Sequence, residues 1–251
     1  MPSSAVRTFT DPVKYFTGIR NLPIVGIAQR RGEFRAESTR IDLHRLFMYR
    51  ADENLPRIMK VTPSGKRAGI VFATEPGQPA MWINGVEIAD GQISRTGLDW
   101  EWYLRSSAPC RWGTISLEPA DLAAAGEVII GRELAPPTFA RCLTPPTPAL
   151  SRLRELHEAA GHLAKTAPNI LAKSEVARAI EQALVEAMVF CLADTHSDGV
   201  RNVQRNRARV MARLEGALTE KSENLCIWRS SPPRSGHPIG HCVTVAWSTW
   251  G

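Results

Sequence analysis

Between Leu134 and Pro148 the chain carries five prolines, Pro136, Pro137, Pro145, Pro146 and Pro148. Each fixes φ and removes a backbone donor, so no helix runs through this stretch, which reads as a strap or linker. It is the sharpest boundary in the sequence, because the period of the apolar residues differs on its two sides.

On the N-terminal side the period is that of strands. From Leu22 to Ser116 apolar or β-branched runs are broken by turn residues every eight to twelve positions, most clearly at Ile41 to Tyr49, Ala68 to Ala73, Ala80 to Ile83, Trp100 to Leu104 and Trp112 to Leu117. Thr62-Pro63-Ser64-Gly65, Glu75-Pro76-Gly77 and Asn84-Gly85 supply the fixed or positive φ at which the chain reverses. Many short strands with regular turns predict a barrel or sandwich. Two helices flank them. Thr10, Asp11 and Pro12 form a start signal for a short helix to about Ile19, and Glu118-Pro119 opens another that Gly131 closes as a C-cap.

On the C-terminal side the period is 3.6. Leu150, Leu153, Leu156, Ala160 and Leu163 share one side of a helix over Ala149 to Lys165. Val176, Ile180, Ala183, Leu184, Ala187, Met188 and Cys191 form the broad apolar face of a second, capped by Ser174 and running to about Leu192. Joined by Ala-Pro-Asn, the two predict a helical hairpin. A polar break at Asp194 to Gly199 precedes Arg201 to Leu218, where Val203, Val210, Met211, Leu214 and Leu218 recur at helical spacing among five arginines and no acid until Glu215. Arg205 and Arg209 on that helix are candidates for phosphate contacts; a surface helix packed by its valine and leucine side fits the same residues.

After Leu225 the character changes. Cys226 to Gly251 contains no Asp, Glu or Lys and holds Trp228, Trp247 and Trp250, three of the chain's seven tryptophans, with no strand or helix period. The genetic code offers a reason. If each true codon takes the third base of one residue and the first two of the next, His241 followed by Cys242 must give Leu, and Trp250 followed by Gly251 must give Gly. Trp228 followed by Arg229 can give Ala. Read through from Cys226, the permitted string is Y-L-A-E-L-x-A-A-I-G-A-S-D-R-T-L-R-x-C-C-x-E-H-L-G.

That string resembles the first helix-turn-helix of AraC/XylS-type transcriptional regulators, with a small-residue helix, an I-G-x-S turn and an S-x-R-T-L-R recognition helix running on into x-L-G. The preceding helix, followed by Glu220 to Leu225 as E-x-x-x-x-L, fits the same resemblance. The resemblance implies a regulator whose reading head is lost in this chain, and no base-contacting residue carries over. It further implies a cupin-like sensor barrel for a small-molecule effector, with helices beside it that form a homodimer; Leu153, Leu156, Leu184 and Met188 are the expected dimer contacts. The expected fold class is therefore α+β, a β-rich cupin-like barrel or sandwich followed by a helical hairpin, one amphipathic helix and a disordered tail. The expected layout is a sensor domain over residues 1–145, the hairpin over 146–198, the first helix of a truncated DNA-binding domain over 199–225 and an out-of-frame tail over 226–251.

Other chemistries find less support. His157-Glu158-Ala159-Ala160-Gly161-His162 is one residue longer than the zinc-protease motif H-E-x-x-H, and histidines five apart on a helix point about 140° away from each other. They read as structural histidines on a partly exposed helix. The β-rich half contains only His44, which cannot build a cupin metal site of several imidazoles, so neither a metal nor another cofactor is expected. No G-x-S-x-G and no phosphate loop occurs, and Cys110 reads as a quiet, half-buried thiol, so no catalytic residue is assigned. The strand aromatics carry more weight. Trp82, Trp100, Trp102 and Trp112 fall on three neighbouring strand segments, with Trp100 and Trp102 on one face by the period of two. They read as core filling or, with Arg45 or Arg105, as a pocket for an aromatic or anionic effector.

The net charge of +6 and a pI near 9.3 suit an acidic partner such as DNA. Five scattered cysteines without C-x-x-C spacing, and an N-terminus without a signal-length apolar run, point to the reduced cytoplasm and no membrane. The competing readings are a small-molecule-binding cupin-like protein and a protein-interaction module, both unrelated to transcription.

Overall fold

The computed structural model describes residues 2–18, 24–29, 32–62, 67–96, 101–137 and 140–193. Elements follow in the order β1 (Ser3–Phe9), α1 (Pro12–Gly18), β2 (Ile24–Ala28), β3 (Ala36–Asp42), β4 (Phe47–Glu53), β5 (Arg57–Val61), β6 (Ala68–Ala73), β7 (Met81–Ile83), β8 (Val86–Ile88), β9 (Ile93–Arg95), β10 (Trp102–Ser106), β11 (Cys110–Leu117), α2 (Pro119–Ile130), β12 (Arg141–Leu143), α3 (Thr147–Thr166), α4 (Pro168–Leu171) and α5 (Ser174–Ala193). The strands form a seven-stranded sheet, β1-β3-β4-β11-β6-β9-β12, and a five-stranded sheet, β2-β5-β10-β7-β8. The paired strands run antiparallel. The fold is α+β, a cupin-like open sandwich backed by helices.

β6 shows why the molecule is layered. All six residues of Ala68-Gly-Ile-Val-Phe-Ala73 are buried, so both faces of the strand must be covered. Ile70 and Phe72 join one apolar cluster with Met48 and Ile115 and with Leu153, Leu184 and Met188 of α3 and α5. Val71 and Ala73 point the other way, into a cluster with Met59, Val61, Met81, Ile83 and Leu104 of the smaller sheet. The large sheet is thus the middle layer, with helices on one face and the second sheet on the other. Phe72, fully buried, contributes about 1.5–3 kcal/mol by this burial.

The helices follow their local signals. The Asp11 carboxylate accepts from the Val13 amide at 2.8 Å, and the helix begins at Pro12. α2 starts at Pro119 and ends on Gly131, whose φ of 68° is left-handed. α3 and α5 form the expected hairpin, with the one-turn α4 between them.

Three expectations need correction. Ile41 to Tyr49 is not one strand: the chain reverses at Leu43 to Leu46, where the Leu43 amide donates to the Leu46 carbonyl at 2.9 Å. The turn residues lack Gly, Pro and Asn because Glu181 of α5 holds the turn from outside, accepting from the amides of Arg45 at 2.7 Å and Leu46 at 3.2 Å. The proline strap is also more than a linker, since it contains β12, which pairs with β9. Leu134 and Leu143 within it pack in the same cluster as Leu150 and Leu153, so residue 145 divides the sequence pattern and not the core. Finally, β1 pairs along its length with β3, although the residues before α1 carried no strand reading. The basic helix over 201–218, with Arg205 and Arg209, the expected disordered tail over 226–251 and Trp100 lie outside the described residues.

Candidate functional site

The site grows from the inner face of the large sheet, the face turned away from the helices. Strand alternation puts Tyr49, Ala51 and Glu53 of β4 on that face. Glu53 ends β4 and Arg57 begins β5, and the short turn between them is tied down by Asn54, whose side chain donates to the Glu33 carbonyl at 2.8 Å. The turn therefore delivers a carboxylate and a guanidinium into the gap between the sheets.

Both side chains are fully buried, and their charges meet at 2.6 Å between Arg57 Nε and Glu53 Oε2. Glu53 Oε1 accepts from the Tyr15 hydroxyl at 2.5 Å and from Trp112 Nε1 at 3.1 Å. Arg57 lies over the Trp112 ring, 5.3 Å from its centroid, and its Nη1 donates to the Leu104 carbonyl at 3.4 Å. Arg57 Nη2 is buried with no hydrogen-bond partner.

Tyr15 reaches this network because α1 is docked like a plug. Phe16 fills the space over Gly26 of β2, where a Cβ would come within 2.5 Å of the ring, so only glycine fits. The Tyr15 ring is packed by Phe9, Phe16 and Phe34 at centroid distances of 5.4, 5.2 and 5.6 Å. Burial, with the Glu53 charge beside it, pushes the Tyr15 phenol well above its ordinary pKa, and burial does the same to Tyr49. Both remain protonated donors.

Toward β1 the same inner face opens. Register places Arg7 opposite Ser38, Ala5 opposite Arg40 and Ser3 opposite Asp42, with Arg40 and Asp42 facing Tyr49 and Phe47 in turn. These residues, with Gly18 at the end of α1, line a groove of about 220 Å³. Arg40 and Asp42 neutralise each other at 2.7 and 2.9 Å, and the Arg40 guanidinium lies 5.6 Å from the Phe47 ring centroid. Tyr49 belongs to both regions, since it lines the groove and stacks against Trp112 at 5.5 Å.

The strand tryptophans read as core filling or as a pocket, and those among the described residues do not gather round one cavity. Trp112 is in the interior, 2% exposed, held by Glu53 and Arg57. Trp102 packs against that interior from the smaller sheet. Trp82 is paired with Arg105 on the other face of that sheet, the guanidinium 5.2 Å from the ring centroid. Arg45 is on the helix side of the molecule, bound to Glu181 at 3.2 Å and Asp121 at 3.6 Å. The expected dimer contacts are corrected in part: Leu153, Leu184 and Met188 are 0% exposed, so their surface is spent within the chain, while Leu156 is partly buried against the same cluster.

His157 is fully buried and not partly exposed. It packs edge-on to Phe72 at 5.1 Å with Nε2 3.3 Å from the Tyr49 carbonyl, and burial beside Arg50 lowers its pKa to about 3. His162 is on the exposed side of α3. Cys110 is buried, its thiol pushed up to about 12 by desolvation. Among the described residues no three His, Cys, Asp or Glu side chains gather as metal ligands, and no helix is long and apolar enough to cross a membrane.

Sequence reasoning missed Tyr15, Tyr49, Glu53, Arg57, Arg7 and Arg40. A usable signal existed for Glu53: extending the β4 alternation past Tyr49 and Ala51 reaches an acid in an inward position. Reading the strand as ending at Tyr49 hid it.

No family model matches the chain, and no curated protein matches its sequence. Among solved structures, the AraC-like transcriptional activator CuxR is similar in fold, with a TM-score of 0.50 and 11% identity over 85% of this chain and 80% of that one. A structural-genomics target from Pseudomonas aeruginosa, named as a glyoxylate-induced protein, matches with a TM-score of 0.21 and 13% identity over 39% of this chain and 35% of that one, too distant in shape to bear on the argument.

Proposed function

We propose that this chain is the effector-sensing and dimerisation region of an AraC-type transcriptional regulator acting in the cytoplasm, with its helix-turn-helix domain cut after the first helix. The observation that carries the proposal is a coincidence of two independent lines. The fold is similar to that of an AraC-like activator over 85% of this chain, and the codons permitted by Cys226 to Gly251 include, in a shifted frame, a string that resembles the family's helix-turn-helix.

In this reading the protein is not an enzyme. Glu53 is committed to an ion pair and two hydrogen bonds, and Tyr15 and Tyr49 are held protonated, so the interior group is built to stay in place and not to exchange protons. A sensor needs such a rigid interior beside an accessible groove. A homodimer would use residues other than the buried Leu153, Leu184 and Met188, and the exposed side of the hairpin, where Phe190 and Ile170 are 43% and 41% exposed, offers one apolar surface among the described residues.

The basic segment with Arg205 and Arg209 offers phosphate contacts but no base readout. The chain therefore gives no sequence-specific shift with DNA upstream of its own gene in an electrophoretic mobility assay at moderate salt. A chain rebuilt with the shifted frame restored gives a shift that withstands excess competitor DNA. If the rebuilt chain binds no better than the present one, the proposal fails.

A further inference from the structure

The groove between β1, β3, β4 and the end of α1 has a composition that selects its occupant. Arg40 and Asp42 form a two-contact ion pair, at 2.7 and 2.9 Å, that leaves no net charge. Arg7, on the exposed edge strand, adds one positive charge to the groove. Ser3 and Ser38 supply hydroxyls and Phe47 supplies ring surface, and the lining includes Tyr49, which is 3% exposed. A volume of about 220 Å³ admits a small organic molecule and not a peptide or nucleic acid strand.

We infer that this groove is a binding site for a small organic monoanion. Arg7 holds the carboxylate, the Ser3 and Ser38 hydroxyls share it, and the body of the molecule lies on the Phe47 ring and against Tyr49. A monoanion is favoured because it matches the single uncompensated charge among the described residues of the groove; a dianion would have to draw Arg40 away from Asp42. Two contacts connect the groove to the core: Tyr49 lies 5.5 Å from Trp112, which donates to the same Glu53 oxygen as Tyr15 of α1. A ligand on Tyr49 therefore presses on the group that keeps α1 docked.

The inference stands on the groove and is independent of the shifted frame, so binding and the nucleotide sequence after Leu225 succeed or fail separately. The Tyr49–Trp112 contact provides the readout. Phenylacetate, its neutral counterpart phenylacetamide, and phenyl phosphate, a dianion at pH 8, are titrated into the full chain while tryptophan fluorescence is followed, up to about 10 mM, where a millimolar site fills. The expected result is a saturable change with phenylacetate, and weaker binding of both the neutral amide and the dianionic phosphate. Arg7→Ala weakens that binding by about ten-fold or more, the effect of losing one charge-assisted contact, whereas Arg111→Ala, a control for charge at a distant surface ion pair, leaves it unchanged. Arg7 is exposed on an edge strand, and equal melting temperatures for wild type and Arg7→Ala confirm that the fold is intact. The inference is overturned if phenylacetate does not saturate, if the amide or the phosphate binds as tightly as the carboxylate, or if Arg7→Ala binds like wild type.

Discussion

Glu53 and Arg57 are buried together because each satisfies what the other would otherwise leave bare. An unpaired charge at zero exposure costs several kcal/mol, while a pair removed as a unit costs far less. Arg57→Met leaves the Glu53 carboxylate without its counter-charge and lowers stability by about 3–5 kcal/mol in urea unfolding. Adding Glu53→Gln to that variant removes the stranded charge yet keeps an amide oxygen for Tyr15 and Trp112 to donate to. The double variant recovers more than half of the loss; a double variant as unstable as the sum of the singles contradicts this account of the interior.

At the scale of elements, two contacts lock the helices to the large sheet. Glu181 of α5 holds the β3–β4 turn, and although its burial opposes ionisation, the amides of Arg45 and Leu46 and the Arg45 guanidinium hold its pKa below the ordinary 4.5. A carboxyl depressed in the folded state stabilises at pH above 4.5, and that stability is lost as pH falls through the folded value. Glu181→Ala, leaving two amides unpaired, costs about 2–4 kcal/mol at pH 7, and the gap from wild type narrows in acid. His157 of α3 fills the space above Gly113 of β11, where a Cβ would lie 2.5 Å from its ring. Its pKa falls from 6.5 to about 3 on folding, so the unfolded chain binds the extra proton and stability drops as pH falls from 6.5 toward 3. Between pH 6.5 and 5 the wild type loses about 2 kcal/mol more than His157→Gln, measured by denaturant unfolding at the two pH values. Equal losses would show that His157 is not held neutral.

These elements also show what a sequence can disclose. α1, α2, α3 and α5 were legible because their starts and stops are local: Asp11 and Pro12, Pro119 and Gly131, Ser174. β6 was legible because it is apolar throughout. The β3–β4 turn was not, since the carboxylate that stabilises it lies 136 residues away on α5. The interior site was hidden for a related reason: Tyr15, Glu53 and Arg57 are ordinary residues on three separate elements, and only the sandwich brings them together. The tryptophans stood out by type, yet Trp82 and Trp112 ended on different faces because rarity says nothing about direction.

For the whole molecule, the described body is a cupin-like sandwich with helices on one face, and its shape is shared with an AraC-like activator at 11% identity. Shape alone assigns no task. The assignment to gene control joins that shape to the shifted reading of the last 26 residues, Cys226 to Gly251, and each half of the claim can fail alone. The most direct measurement is the nucleotide sequence of the coding DNA from Leu225 onward, translated in all three frames. The account predicts that the shifted frame reads through A-S-D-R-T-L-R and E-H-L-G and continues open into a second helix-turn-helix. A shifted frame that meets an early stop, or that spells other residues at those positions, contradicts it.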